Sequence, residues 1–174
     1  IFGQEGVQIV HFSGLIAALS PDSGNFCLEI ARFAKKYGTL ISFDLNYRAS
    51  FWKGREVELA ATFKEIASLS DILIGNEEDF QLCLGIEGPK PGGEDIEAQL
   101  DAFKEMIKNA QKTYANVSVF ANTLREVVSA NEHLWGAIVY ENANWHVIKP
   151  RKINVMDRIG GGDGFVGGLL YSIL

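Results

Sequence analysis

Several features are absent from the sequence, and each absence narrows what the protein can do. No apolar run approaches the roughly 18 residues of a membrane-spanning helix, and no signal-peptide pattern is visible. There is no basic block, and the net charge is −6, so we expect neither nucleic acid nor a membrane as a partner. Cysteine is scarce, because Cys27 and Cys83 are the two in the chain. We therefore expect reduced thiols in a cytoplasmic protein.

The length of the chain fits a single domain. With 174 residues, it can bury a substantial core. It starts at Ile1, close to a strand pattern, and stops at Leu174, about three turns into a helical pattern. We therefore expect residues 1–174 to be a single-domain piece of a longer protein, truncated at both ends.

Apolar patterns predict strands that alternate with helices. Strands are predicted at 7–12, 39–44, 71–75 and 117–121, with a hairpin formed by 135–140 and 144–148. Helices are predicted at about 21–37, 55–68 and 94–114, from Asn76 onward, and after the glycines near the C-terminal end. This alternation is typical of an α/β fold with a largely parallel sheet. Ligands of such sheets bind beyond the carboxyl ends of the strands.

The most informative stretch is 155–174. Gly160, Gly161 and Gly162 precede Asp163 and an apolar run with helical spacing. Bare backbone N–H groups at the start of a helix bind anions, phosphate above all. A carboxylate in such a place suits removal of a proton from a hydroxyl while negative charge develops beside it. The alternative is a glycine-rich turn in which Asp163 only caps the helix.

Two other phosphate-binding patterns carry less weight. Residues 162–167 read as G-x-G-x-x-G, the dinucleotide fingerprint, but this fingerprint needs a strand directly before it. We instead expect Gly164, Gly167 and Gly168 to let the helix pack closely on neighbouring backbone. A Walker A loop is absent, since no Gly-Lys-Ser/Thr occurs in the sequence.

Polar clusters follow the other predicted strands. Asp44, Asn46 and Arg48 alternate in an extended segment, where such residues point the same way, and arginine can grip a carboxylate with two hydrogen bonds. An Asp–Arg pair that braces the loop is the alternative. Asn76 and Asp79 can face one Mg²⁺ site, or they can form an acidic first helical turn. The segment 122–125 follows the fourth strand, whereas the lone His11 is expected to be structural.

The stretch Asp157-Arg-Ile-Gly-Gly-Gly-Asp163 resembles the second signature of the ribokinase-like (PfkB) sugar kinases, D-T-x-G-A-G-D. Phe43-Asp-Leu-Asn-Tyr-Arg48, Asn76-x-x-Asp79 and Thr123-Leu-Arg125 occur in the matching order. Within the family, the combination is most similar to the 2-keto-3-deoxygluconate kinases. Three positions depart from the pattern: Asp79 replaces Glu, Arg158 replaces Thr and Gly161 replaces Ala.

The resemblance implies a ribokinase-like three-layer sandwich that lacks the N-terminal lid. It also implies ATP and Mg²⁺ as cofactors, a sugar acid as substrate, and a homo-oligomer for the complete parent. Asp163 would be the catalytic base, and the N–H groups of Gly160, Gly161 and Gly162 would form the anion hole. The other implied roles are substrate binding for Asn46, Arg48 and Asp163, nucleotide binding for Thr123, Arg125, Gly160 and Gly162, and metal binding for Asn76 and Asp79.

Two alternatives to this function stay open. A fructokinase or ribokinase would share the same signature with a neutral sugar as substrate. A truncated, non-catalytic chain that only binds nucleotide would retain the glycine loop.

Overall fold

The computed structural model describes residues 1–92, 95–157 and 159–174. The strands are β1 (Ile9–Ser13), β2 (Leu40–Asp44), β3 (Ile72–Gly75), β4 (Val119–Ser129), β5 (Glu132–Glu141) and β6 (Asn144–Asn154). The helices are α1 (Gly14–Ala18), α2 (Pro21–Lys36), α3 (Ala49–Trp52), α4 (Glu56–Leu69), α5 (Glu77–Leu84), α6 (Leu100–Thr113) and α7 (Gly161–Ile173). No helix in the described ranges is long and apolar enough to cross a membrane.

One sheet contains these strands in the order β1-β2-β3-β4-β5-β6. The pairs from β1 to β4 are parallel, whereas β4–β5 and β5–β6 are antiparallel. Because β1, β2 and β3 run in one direction, their carboxyl ends, Ser13, Asp44 and Gly75, meet at one edge. The predicted α/β fold and the predicted hairpin are confirmed.

The sheet carries a separate core on each face. On one face, α2, α4, α5 and α6 bury apolar side chains against it, among them Leu28, Phe63, Phe80 and Ile107. On the other face, α7 packs Val166 in a smaller cluster with Ile74 and Val119. Helices therefore lie on both faces of the sheet, which is the three-layer arrangement that the resemblance implies.

Strand β4 is longer than the pattern predicts. It continues through Asn122-Thr-Leu-Arg125 to Ser129, so Thr123 and Arg125 lie inside a strand and the expectation that they follow one is wrong. The reason is its second neighbour: pairing with β3 stops at Gly75↔Asn122, but β5 extends the ladder to Ser129↔Glu132. A short apolar run marks only the part of β4 that has neighbours on both sides.

Helix boundaries also differ from the pattern in places. Helix α6 begins at Leu100 rather than at residue 94, and Glu94 itself lies outside the described residues. Asp95 has a φ of 57°, a left-handed conformation that a helix cannot include, and turns occupy 96–99. Helices α1 and α3 were not predicted, because 5 and 4 residues are too short for a periodic signal.

Three glycines of α7, Gly164, Gly167 and Gly168, do not serve close packing within the described residues. A Cβ built at Gly164, Gly167 or Gly168 meets no described atom within 4 Å, so the expected contact with neighbouring backbone is wrong. One glycine that does serve close packing is Gly14, at the start of α1. A Cβ there would collide with the carbonyl oxygen of Leu45 and lie 2.7 Å from Cε1 of Phe63.

Alanine substitutions at Gly14 and Gly168 should therefore change stability in opposite directions. Gly14→Ala should lower the free energy of unfolding by about 3 kcal/mol or more, because backbone must shift to admit the methyl group. Gly168→Ala should raise it by about 0.5–1 kcal/mol, because alanine is the better helix former. Urea denaturation of chain 1–174 measures both, and equal effects of the two substitutions would contradict this packing.

Candidate active site

The carboxyl edge of the sheet collects polar side chains from several loops. Ser13 and Asp44 are register partners at the ends of β1 and β2, and Asp44 also pairs with Ile74 of β3. Ile74 belongs to the core beneath α7. Because directly opposed residues project to the same side of a sheet, Asp44 lies on the face that carries α7.

Asp79 ties two of these loops together. Its Oδ2 accepts the N–H of Asn76 at 2.8 Å, and Asn76 Oδ1 accepts the N–H of Asp79 at 2.9 Å, a reciprocal capping box at the start of α5. Its Oδ1 accepts the N–H of Tyr47 at 2.9 Å. One buried carboxylate thus holds both the first turn of α5 and the loop that follows β2.

Asn46 and Arg48 occupy that loop in different ways. Asn46 has a φ of 40°, which asparagine tolerates better than most residues. Its Nδ2 donates to Ser13 Oγ at 2.9 Å, so the side chain is held against β1. Arg48 is exposed, and its Nη1 donates to the Tyr47 carbonyl at 2.7 Å. The described part of the chain provides no ion-pair partner for Arg48, so the interpretation as a bracing Asp–Arg pair is not seen.

Carboxylates concentrate negative charge at this edge. Burial raises the pKa of Asp44 to about 7, and the nearby Asp79 and Asp163 carboxylates add to that rise. Burial also raises the pKa of Asp79 to about 6, against the hydrogen bonds from Asn76 and Tyr47. The field of Asp163 acts on His11 as well, although burial is the larger effect and lowers the pKa of that imidazole. His11 Nδ1 lies 3.0 Å from Ser42 Oγ, in keeping with the structural role expected for this histidine.

The glycine loop opens α7 with unoccupied backbone donors. Gly160 is the N-cap residue with a φ of 77°, a conformation that favours glycine, and its carbonyl accepts the N–H of Gly164 at 2.8 Å. No side chain in the described ranges caps the helix, so the N–H groups of Gly161 and Gly162 remain available to an anion. Asp163 stands in the same first turn and is exposed.

Trp135 of β5 forms the floor of this loop. A Cβ on Gly161 would lie 3.2 Å from Cη2 of the indole, closer than most real Cβ contacts. The alanine of the D-T-x-G-A-G-D pattern would here require the indole to shift by a few tenths of an ångström. The dinucleotide interpretation finds no support, because the preceding strand, β6, is antiparallel to its neighbour and ends at Asn154.

Thr123 and Arg125 lie near the loop, although not where the pattern placed them. Thr123 is opposite Ala137, and Arg125 is opposite Trp135, in the β4–β5 ladder. A cavity of about 520 Å³ lies between the hairpin and α7. Its lining includes Ala137, Val139, Phe165 and Leu169. The pattern did not predict Trp135, because only the fold brings it to the glycine loop.

Asn76 and Asp79 are the residues expected to bind a metal ion. Within the described ranges, no group of three or more His, Cys, Asp and Glu side chains could hold a metal ion. The side-chain oxygens of Asn76 and Asp79 already accept backbone N–H groups. Mg²⁺ retains most of its waters and needs only one or two protein oxygens besides substrate phosphates. Binding of Mg²⁺ by these two residues, through its waters, therefore stays a prediction.

Comparison with known proteins agrees with this geometry. The pattern of the pfkB family carbohydrate kinases matches residues 5–124. A 5-dehydro-2-deoxygluconokinase of Clostridium perfringens is 27% identical over 171 residues, which cover 98% of this chain and 44% of that protein. The crystal structure of 2-dehydro-3-deoxygluconokinase from Thermotoga maritima superposes with a TM-score of 0.84 at 30% identity, over 96% of this chain and 48% of that one. A sugar kinase of Pyrococcus horikoshii, solved in complex with ATP, has a TM-score of 0.64 at 23% identity, over 95% of this chain and 44% of that one.

Fold and loop together define an α/β protein with an uncapped helix N-terminus beside a carboxylate. The family match covers more than half of the chain, and on that basis this chain belongs to the pfkB family of carbohydrate kinases. The resemblance read from residues 43–48, 76–79 and 157–163 is thereby confirmed. The chain spans less than half the length of the relatives reported above.

Asp44→Asn should change stability in a pH-dependent way. The carboxyl group has a pKa of about 7 in the folded state against an ordinary value of 3.8. Folding therefore retains a proton that the unfolded chain loses, and stability should fall as pH rises between about 4 and 7. The amide has no charge to bury, so at pH 8 the variant should be more stable than the parent, by up to about 4 kcal/mol.

This comparison needs denaturation curves at pH 4 and pH 8. The gain should fall to about 0.5 kcal/mol at pH 4, where the parent carboxyl is neutral in the folded state and only about half ionised in the unfolded chain. Asp101→Asn, whose side chain is 97% exposed, serves as the matched control and should show no such pH dependence. A gain that is the same at both pH values would show that ionisation of Asp44 has no cost.

Proposed function

We propose that the complete protein containing this chain is an ATP-dependent kinase of a sugar acid. It transfers the γ-phosphoryl group of Mg-ATP to a hydroxyl of 2-keto-3-deoxygluconate. The observation that carries the proposal is the first turn of α7, where Asp163 stands beside the uncapped N–H groups of Gly161 and Gly162. Membership of a carbohydrate kinase family supports it.

The proposed chemistry is a direct in-line transfer. The substrate hydroxyl oxygen attacks the γ-phosphorus, the bond from this phosphorus to the bridging oxygen breaks, and ADP leaves with the bonding electrons. Asp163 accepts the hydroxyl proton. The N–H groups at the start of α7, with the glycine backbone of residues 160–162, face the negative charge of the transferring group. Phosphoryl transfer depends mainly on such positioning and charge stabilisation.

Arg48 supports an acid as substrate. Its guanidinium group is exposed and has no ion-pair partner in the described residues, so it is free to bind a carboxylate in the bidentate manner of arginine. The held Asn46 lies two residues before it and would contact the sugar. Both relatives with a named substrate are kinases of keto-deoxy derivatives of gluconate. Fructose and ribose have no carboxylate for Arg48.

A second candidate substrate is the isomer 5-dehydro-2-deoxygluconate, for which the Clostridium perfringens relative is named. It also carries a carboxylate. Direct comparison of the two acids as substrates of the purified complete protein distinguishes them, since the true substrate should give the higher kcat/KM.

The cofactors occupy the other side of the proposed site. Asn76 and Asp79 would orient waters of the Mg²⁺ that accompanies ATP. Thr123 and Arg125 would lie beside the nucleotide, whose adenosine half would occupy the cavity between α7 and the hairpin. The free and buried Cys27 and Cys83 support a reducing, cytoplasmic location.

Asp163→Asn in the complete protein should abolish turnover and leave the Kd for ATP nearly unchanged, because the amide retains the shape but cannot accept the proton. Loss of a general base lowers kcat by roughly 10²–10⁴-fold. A coupled ADP-release assay and calorimetric ATP titration measure the two quantities, with Asp101→Asn as control. Normal turnover by the variant would remove Asp163 as the base, and a parent that binds ATP without turnover would favour a non-catalytic chain.

Arg48→Gln should impair acid sugars selectively. Removal of the cation should raise KM for 2-keto-3-deoxygluconate by roughly tenfold, because a charge-assisted hydrogen bond contributes about 1.5–3 kcal/mol. Low activity with fructose or ribose should not change. An equal loss for the acid and for the neutral sugars would contradict the carboxylate contact, as it would indicate only a disturbed loop.

A further inference from the structure

Three residues form a row across the β4–β6 hairpin strands. Arg125 of β4 is directly opposite Trp135 of β5, and Trp135 is directly opposite Arg151 of β6. Directly opposed residues project to the same face of a sheet, with Cβ atoms about 5 Å apart. The register therefore places one arginine on each side of Trp135, and we call Arg125, Trp135 and Arg151 the arginine row.

The arginine row lies on the face of the glycine loop. The Trp135 ring is the group that a Cβ on Gly161 would meet, at 3.2 Å. Because Arg125 and Arg151 are the register partners of Trp135, both residues project to the face that carries the N-terminal end of α7. The row and the free N–H groups of the loop thus converge on one region of the surface.

Charge pairing on the hairpin differs between its two faces. Lys149 and Lys152 of β6 form ion pairs with Glu97 and Glu132. Arg125 and Arg151 are both exposed, and neither has an ion-pair partner in the described residues. The chain carries a net charge of −6, so acidic partners are not scarce. Two unpaired positive charges near the positive end of a helix dipole do not stabilise the fold. Their presence there therefore favours a role in binding an anionic ligand.

The position of the row favours a nucleotide over the sugar acid as that ligand. Arg48 follows β2, whereas the row is centred on β5, and three strand spacings of about 4.8 Å place the two regions roughly 14 Å apart. Ala137 and Val139, the next two same-face residues of β5 after Trp135, line the cavity beside α7. The row therefore lies beneath the glycine loop and next to an apolar cavity.

We propose that Arg151, with Arg125 across Trp135, is a second anion subsite that binds the polyphosphate of a nucleoside di- or triphosphate. The inference rests on the proposed function and extends it to Arg151 and Trp135. The glycine loop holds the terminal phosphoryl group, the two guanidinium groups hold the phosphates nearer the nucleoside, and the indole separates them and excludes water beneath.

Arg151→Gln in the complete protein tests this subsite. Calorimetric titration should show about tenfold weaker binding of ATP and of ADP, since one charge-assisted contact to phosphate is lost. Adenosine, which has no phosphate, should bind as it does to the parent. The slope of log Kd for ATP against log salt concentration should become shallower, and Arg151→Lys should give an intermediate affinity.

Lys152→Gln is the matched control, because it removes the same charge from the adjacent residue of β6, where Lys152 pairs with Glu132. It should leave the Kd for ATP unchanged. Equal weakening by the two variants, equal weakening for adenosine, or an unchanged Kd for ATP in Arg151→Gln would each overturn the subsite. If the glutamine variant proves unstable, Arg151→Lys, which retains the charge, replaces it in the test. Intermediate ATP affinity with unchanged adenosine binding would support the subsite. Unchanged ATP affinity would overturn it.

The outcome also separates this inference from the proposed function. A parent that phosphorylates a sugar acid, together with an Arg151→Gln variant of normal ATP and ADP affinity, removes the subsite alone. A parent that binds neither ATP nor ADP removes both.

Discussion

The Asp79 carboxylate is the interaction on which the candidate site depends. It accepts one N–H from the start of α5 and another from the loop after β2, and it is buried. It thereby joins the loop that carries Asn46 and Arg48 to the start of α5 at Asn76. A carboxylate that accepts backbone N–H groups is stabilised in its charged form, but burial opposes this and raises its pKa. The hydrogen bonds of Asp79 therefore fix the position of both segments, whereas the pKa of its carboxyl group depends on the charges around it.

Successive residues of a strand project to opposite faces of the sheet, which separates core side chains from the polar side chains of the candidate site. Phe43 belongs to the larger core, whereas its neighbours Ser42 and Asp44 project to the face of α7. The same rule divides β6, where Lys152 pairs with Glu132 and Arg151 stands beside Trp135. A residue-by-residue change of face lets short strands bury a continuous core and still present polar groups to a ligand.

The sequence predicted the elements that apolar patterns define and missed those that depend on distant partners. Strand β3 is apolar throughout and β2 is mostly apolar, and α2 has a capping serine and a proline at its start, so both kinds of element could be located. The length of β4 could not, because β5 rather than its own sequence sustains its second half. The sequence singled out Asn76 and Asp79 as a pair. Of the two interpretations of this pair, the acidic first helical turn is the one that corresponds to the capping role seen at the start of α5. The hydrogen bond that Tyr47 N–H donates to Asp79 joins residues 32 positions apart, so no local sequence pattern predicts it.

The contact between Trp135 and Gly161 has a further consequence. Indole emission depends on the polarity around the ring, so this tryptophan makes the glycine loop visible to fluorescence spectroscopy. The other two tryptophans are placed differently: Trp52 is 3% exposed in the larger core, and Trp145 packs against Tyr140 with ring centroids 4.6 Å apart. An anion at the first turn of α7 would therefore alter the surroundings of Trp135 more than those of the other two indoles. The fold thereby places an intrinsic optical reporter against its glycine loop.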